Sequence, residues 1–321
     1  MKPTVSDPSP ARVPGAGEGL ADKIFRLVTM AFAAVVVMIV LALLTNLVVA
    51  SIPSLRKFGF HFPFTSTWDP VKGHFGALPL VFGTIVSSSL ALLIAVPLSL
   101  GISIFLTQMA PFRLRRPVRF MVELLAGIPS VIYGLWGIFV LAPWITATLA
   151  PVLQRYLGFL PFFRGPAYGV GMLSAGLILA LMVVPFVTSV STEIMNTVPV
   201  SQKEAALGLG ATRWEMVRVA VIPYSRSGIF GAVILGLGRA LGETMAVTML
   251  IGNTPQVKAS LFAPAATMAS IIANEFTEAS SKLYLSALVE VGLLLFVITF
   301  IVNALARLLV RQVGRKRRFA G

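Results

Sequence analysis

The chain has 321 residues, of which 57% are hydrophobic and 12% charged, with mean hydropathy +0.89. A soluble domain carries about 25% charged residues, so composition alone predicts an integral membrane protein. The net charge of +14 then points to basic span ends on one membrane face and not to nucleic acid, and the absence of cysteine excludes disulfides, thiol catalysis and a Cys-based metal site.

Residues 1–22 contain Pro3, Pro8, Pro10 and Pro14 among small residues and predict a disordered cytoplasmic tail. Lys23 and Arg26 precede an apolar run, 27–52, too long for a signal-peptide core and read as the first span. Residues 53–76 are aromatic, with Phe58, Phe60, Phe62, Phe64 and Trp68, and predict an outer loop or interfacial segment. His61 and His74 lie there and form no metal cluster. Further spans are predicted over 78–106, 119–147 with a break at Pro129, 169–190, 228–251 and 284–309. Residues 23–310 thus form one six-span domain, all-α, followed by a basic tail at 311–321.

A basic turn with Arg113, Arg115 and Arg116 separates spans two and three. Arg119 and Glu123 stand one helical turn apart and predict a surface pair, with Glu123 structural or gating. Between spans five and six, a short helix is predicted near 267–275. Of the 26 lysines and arginines, 18 fall on one set of connecting segments and seven on the other, with Arg239 inside a span. That bias puts both termini in the cytoplasm, and the 201–223 connection with them.

Residues 201–223 carry local structure of their own. Ser201 and Glu204 have capping-box spacing, predicting a helix start near Gln202; Thr212 and Glu215 repeat the spacing. Gly208 and Gly210 interrupt the helix, and Pro223 predicts a stop. Two short helices with a glycine elbow would make a compact knob on the membrane surface. An ordinary well-capped loop is the plainer alternative.

Beyond the knob, the apolar fifth span carries Arg239 and Glu243. Arg239 lies about 16 Å into the span at 1.5 Å per residue, near the middle of a ~30 Å hydrocarbon core. Glu243 is expected one turn further on the same face. A charge at that depth costs about 2.5 kcal/mol or more, so it should face protein or water. The pair is either a packing lock or an anion site, because a guanidinium fork suits oxyanions and a nearby carboxylate would keep such a site weak enough to release them. Glu290 in span six is another buried acid, structural or gating. Gly238 and Gly242 predict a face for close helix approach. No P-loop, Ser-His-Asp set or His-Glu-x-x-His spacing is present, so energy must come from another subunit.

Glu204, Ala205, Ala206, Gly210 and Pro223 have the spacing of the EAA loop by which ABC importer permeases dock onto their ATPase. Two positions before Pro223, Ala220 and Ile222, stand where that pattern has Ile and Leu. The fifth-span sequence GLGRALGETMAV at 236–247, ELLAGIPSVIYGLWG at 123–137 and FVITFIVNALAR at 296–307 resemble PstC-type permease subunits of phosphate-specific ABC importers. The resemblance covers about 78–310. It implies a type I ABC permease fold, a PstA-like partner permease, two copies of a PstB-like ATPase that carry the ATP and magnesium, and a PstS-like phosphate-binding protein. This chain itself would hold no cofactor and contact only lipid, inorganic phosphate and those subunits. A permease for sulfate or molybdate, or an ATPase-independent secondary transporter, remains the alternative.

Overall fold

In the computed structural model, residues 20–315 are described. The expected disordered tail, up to residue 19, and the last basic residues, 316–321, lie outside them. The chain divides into two units, Met1–Val49 and Ala50–Gly321. The first holds most of helix α1 (Leu20–Phe58), an almost fully exposed apolar rod.

In the second unit the element order is α2 (Leu78–Ile104), α3 (Phe112–Gly127), α4 (Ser130–Trp136), α5 (Ala142–Trp144), α6 (Ala150–Leu157), α7 (Met172–Asn196), α8 (Val200–Gly208), α9 (Arg213–Met216), α10 (Ile222–Gly242), α11 (Met245–Leu250), α12 (Met268–Glu275) and α13 (Lys282–Arg315). Among the described residues, six helical runs are long and apolar enough to cross a membrane. The only β pairing among them is one bridge, Asp69 to His74.

The centre is a close pairing of α2 with α7. Both helices bury a stripe of period four: Ser87, Ala91, Ala95, Ser99 and Ser103 on α2, and Ala175, Leu179, Val183, Val187 and Ser191 on α7. Lipid supplies no hydrophobic drive between helices, so small side chains that permit close contact, and hydroxyls that bond across, take its place. Ser99 Oγ donates to the Val184 carbonyl and Ser103 Oγ to that of Thr188, each at 3.1 Å. Helix α10 joins this pair through a third small face, Gly228, Ala232 and Gly236. A Cβ at Gly236 would stand 2.7 Å from Val187 Cγ2, and one at Gly228 2.6 Å from Ile194 Cγ2. The close-approach face is therefore two positions from the Gly238–Gly242 frame expected. Gly238 meets only Asn303 at 3.9 Å, and Gly242 faces open space.

Residues 59–77 fold onto α12 and α13. Phe62, Trp68 and Phe75 are buried with Tyr284, and the Phe75 and Tyr284 rings stack at 5.2 Å. The Trp68 indole and the Tyr284 hydroxyl both donate to Glu275 Oε2, at 2.9 and 2.5 Å. The short helix expected near 267–275 is α12. Thr267 and Ser270 cap it reciprocally.

Several boundaries differ from the sequence expectation. The basic residues 113–116 are not a turn. They open α3, a strongly amphipathic helix, and the turn is Ala110–Pro111. The third crossing is consequently Ser130–Leu157 and not 119–147. The sixth helix runs on to Arg315, so residues 311–315 of the expected tail are helical. Pro129 interrupts the helix as expected, whereas Pro223, which read as a stop, does not. Pro143, Pro151 and Pro223 each follow a wide π turn, at Gly137–Leu141, Ile145–Leu149 and Val217–Val221. A π turn shifts the bonding from i→i+4 to i→i+5, which accommodates a residue that has no N–H to give.

Candidate functional site

Two helices of the bundle are interrupted. The first break separates α3 from α4. Ile128 and Pro129 are extended, with ψ 127° and 140°. Pro129 offers no N–H to the Leu125 carbonyl, and the Tyr133 hydroxyl donates to it instead at 2.8 Å. The second separates α10 from α11. Helix α10 ends at Gly242, Glu243 is extended (φ −68°, ψ 125°), and α11 starts at Met245. Beyond the breaks, α4 and α11 run side by side. A Cβ at Gly134 would lie 2.4 Å from Met249 Sδ, and one at Gly137 2.3 Å from Leu250 Cδ1. This parallel register sets Ile128–Pro129 and Glu243–Thr244 at one level. Irregular backbone at membrane depth occurs where it is buried in protein or lines a polar path.

Arg239 lies one turn before the second break. Its side chain is exposed in the isolated subunit, within electrostatic reach of Tyr133. It stands about 20 Å along the helix from Arg226 at 1.5 Å per residue. Glu243 is partly buried on the far side of the break. The expected continuation of Arg239 and Glu243 along one helical face is not found, because the helix ends between them. Among the described residues no ion pair joins the two. The guanidinium therefore presents its donors without an internal carboxylate partner.

Arg119 and Glu123 do pair, as their spacing predicts, with Nε to Oε1 at 2.8 Å and both side chains about half exposed. Glu290 is 5% exposed. Ser54 is its polar neighbour, and Oε2 has no hydrogen-bond partner. One turn earlier on α13, Ser286 Oγ accepts from Ser54 N–H at 3.0 Å and donates to the Ala50 carbonyl at 2.9 Å. Glu290 thus sits in a serine-lined seam within the packing, away from both breaks.

The knob is built by α8 and α9. Helix α8 begins at Val200 behind Pro199, so Ser201 falls inside the helix and the expected Ser201–Glu204 capping box does not form. The box at Thr212–Glu215 does form, with Thr212 N–H to Glu215 Oε2 at 2.8 Å and Glu215 N–H to Thr212 Oγ1 at 3.3 Å. Gly210 makes the elbow at φ +85°, the left-handed conformation that glycine adopts at least cost. Ala211 N–H bonds the Ala206 carbonyl and Gly210 N–H that of Leu207, closing a Schellman turn. Ala206 packs toward a buried base of Met195, Val198, Met216 and Val217. Glu204 and Ala205 face outward, beside exposed Leu207, Leu209 and Trp214. Those three apolar residues carried no sequence signal, since each reads as ordinary helix content. Partial burial, and then the Arg115 guanidinium nearby, hold the Lys203 ammonium below the usual lysine range, which places the start of α3 beside the knob. Pro223 is the second residue of α10. Runs α9 to α10 are joined without interruption across the π turn, from Arg213 to Gly242.

Among the described residues, no group of histidines, aspartates and glutamates could hold a metal ion. The arrangement combines two helix interruptions, a guanidinium that makes no ion pair among the described residues, and a knob whose second helix, α9, runs on into α10.

Comparison with known proteins agrees with that geometry. Residues 95–315 match the family described as binding-protein-dependent transport system inner membrane component. A phosphate transport system permease protein PstC of Mesorhizobium japonicum is 50% identical over 301 residues, covering 92% of each chain. The chain belongs to the PstC family of permeases. The PstC of Haemophilus influenzae is 48% identical, covering 92% of this permease and 95% of its own length. A bacterial ABC transporter involved in the import of the acidic polysaccharide alginate superposes at TM-score 0.62 over 91% of this permease and 98% of its own chain, at 16% identity. That likeness establishes the type I importer fold of this multi-pass inner-membrane protein.

Proposed function

We propose that this permease is the subunit through which inorganic phosphate crosses the cytoplasmic membrane in an ATP-driven importer. The observation that carries the reading is Arg239, an unpaired guanidinium one turn from a helix break at membrane depth, in a chain half identical to a named phosphate permease. Arg is charged at every physiological pH, and its planar fork fits two phosphate oxygens. Transit requires a site attractive enough to enter and weak enough to leave. Glu243, set across the break, competes for Arg239 when the break closes and yields it when the anion arrives. Glu123 and Glu290 stay outside this contact, as a surface pair and a packing element.

ATP and magnesium belong to a separate pair of PstB-like subunits, which dock on Glu204, Ala205, Ala206 and the exposed Leu209 and Trp214. A PstA-like permease completes the passage, and a PstS-like protein delivers phosphate from the opposite face. The basic bias of the connecting segments puts the knob and both termini in the cytoplasm.

The test is phosphate uptake by vesicles containing all four kinds of subunit. Uptake should require ATP and resist competition by sulfate and molybdate. Uptake without ATP, or equal competition by either anion, refutes the reading. Cysteines placed at Lys72 and Arg213 report sidedness in the same vesicles, and should react with an impermeant thiol reagent from opposite faces.

The elbow gives a second expectation. Gly210→Val forces a β-branched residue to φ +85°, a cost of about 1–2 kcal/mol. The crossings should remain folded while ATPase association and uptake fall together. Undiminished uptake at normal expression would show that the knob is only a loop.

A further inference from the structure

Tyr133 joins parts of the bundle that lie far apart in the sequence. Its side chain is 5% exposed and belongs to one buried cluster with Ala246 and Leu250 of α11 and Ile178 and Met182 of α7. The next residue, Gly134, runs so close to α11 that a Cβ there would lie 3.3 Å from Ala246 Cα. The Tyr133 hydroxyl reaches back across the first break and donates to the Leu125 carbonyl at 2.8 Å. Arg239, one turn before the second break, lies within its electrostatic reach.

The hydroxyl answers a definite need. In a continuous helix the Leu125 carbonyl would accept from the N–H four residues on, and that residue is Pro129, which has none. Ile128 N–H approaches the same carbonyl only to 3.4 Å, so the phenol makes the short bond. A phenylalanine ring would fill the buried cluster equally well, and packing alone therefore does not call for the oxygen. What the oxygen adds is a tie from the last turn of α3 to a ring held against α11. Helix α11 starts at Met245, just past Glu243. We propose that Tyr133 is a positioning residue for anion passage. By taking the Leu125 carbonyl it holds the first break open, and through α11 it fixes the second break, between Arg239 and Glu243, at one setting. The role rests on the phosphate-transport reading above. Tyr133 acts here through the two breaks and not by touching the anion, as packed side chains and hydrogen bonds carry coupling between sites.

Tyr133→Phe in the assembled importer removes the oxygen and keeps the ring. Uptake per assembled importer should fall about tenfold, the scale of one buried acceptor left without its donor. A looser fold would also lower uptake, so a second measurement reads the break itself. Met245 is 45% exposed and the chain has no cysteine, so Met245→Cys puts one reporter in this chain at the second break. Adding Tyr133→Phe should change its rate of modification by a small methanethiosulfonate about threefold or more. A Lys72→Cys reporter, far from both breaks in sequence, should react at an unchanged rate. The third arm combines Tyr133→Phe with Pro129→Ala, which returns an N–H four residues after Leu125 and lets the helix satisfy its own carbonyl. The thermal midpoint should recover in that double variant while uptake stays low, because the break has closed. Uptake restored in the double variant would leave Tyr133 as a donor for one carbonyl and overturn the positioning role. An unchanged rate at Met245→Cys, or equal changes at Met245→Cys and Lys72→Cys, overturns it as well. A parent that imports phosphate beside an unchanged Met245→Cys rate loses only this role, whereas a parent that imports none loses the transport reading and the role together.

Discussion

Arg239→Ala should reduce ATP-driven phosphate uptake by about a hundredfold or more, with normal insertion and normal association with the other subunits. Hydrogen bonds from a charged donor contribute roughly 1.5–3 kcal/mol each, and a guanidinium fork makes two. The structure sharpens the test. Removing one member of a buried ion pair strands the other and destabilises the fold, but Arg239 and Glu243 are separated by the end of α10 and make no ion pair. Loss of uptake in the single variant therefore reports the anion and not misfolding. The double change Arg239→Ala with Glu243→Ala should fold and remain inactive. Arg239→Lys should be intermediate, since it keeps the charge without the planar fork. Uptake close to the parent in the double variant would end the substrate role of Arg239.

Gly83→Ala should have the largest effect on stability. A Cβ at Gly83 would stand 2.0 Å from the Ala266 carbonyl oxygen. That carbonyl cannot turn away freely. Met268 N–H donates to Thr84 Oγ1 at 2.9 Å and Ala265 N–H to the Ile251 carbonyl at 2.9 Å, so both sides of Ala266 are fixed. Overpacking of this kind costs about 1–3 kcal/mol or more, because backbone must move. The expected result is a clearly lower thermal midpoint in detergent and a reduced monodisperse yield. Gly101→Ala on the same helix is the control, since a Cβ there meets nothing within 4 Å. Equal losses in the two variants, or no loss at Gly83→Ala, would show that the close contact with Ala266 carries no stability.

The six crossings were legible because long apolar runs have few other readings. The knob was legible in part. Thr212 and Glu215 cap as their spacing states, whereas Ser201 and Glu204 do not, because Pro199 already occupies the cap position and shifts the helix start. The break after Gly242 was not legible. No proline marks the interruption in GLGRALGETMAV, and its glycines read equally well as a face for close helix approach. Pro223 misled in the other direction, since the π turn before it absorbs the missing donor and lets the run continue. The basic residues of α3 read as a turn, because charge density resembles a loop until the amphipathic face is seen in place.

The uninterrupted helix from Arg213 to Gly242 has a mechanical consequence. If the run moves as one body, its seat on α7 at Gly228 and Gly236 would act as the fulcrum of a lever. At 1.5 Å per residue its arm from Ala232 to Trp214 is about 27 Å, and its arm from Ala232 to Arg239 about 10 Å. A 5 Å swing of the knob end, taken as an order-of-magnitude stroke, moves Arg239 by about 2 Å in the opposite direction. That is enough to make or break a guanidinium–oxygen contact, whose useful range spans only a few tenths of an ångström around 2.8 Å. The gearing therefore trades a broad stroke at the surface for a short and forceful one at depth.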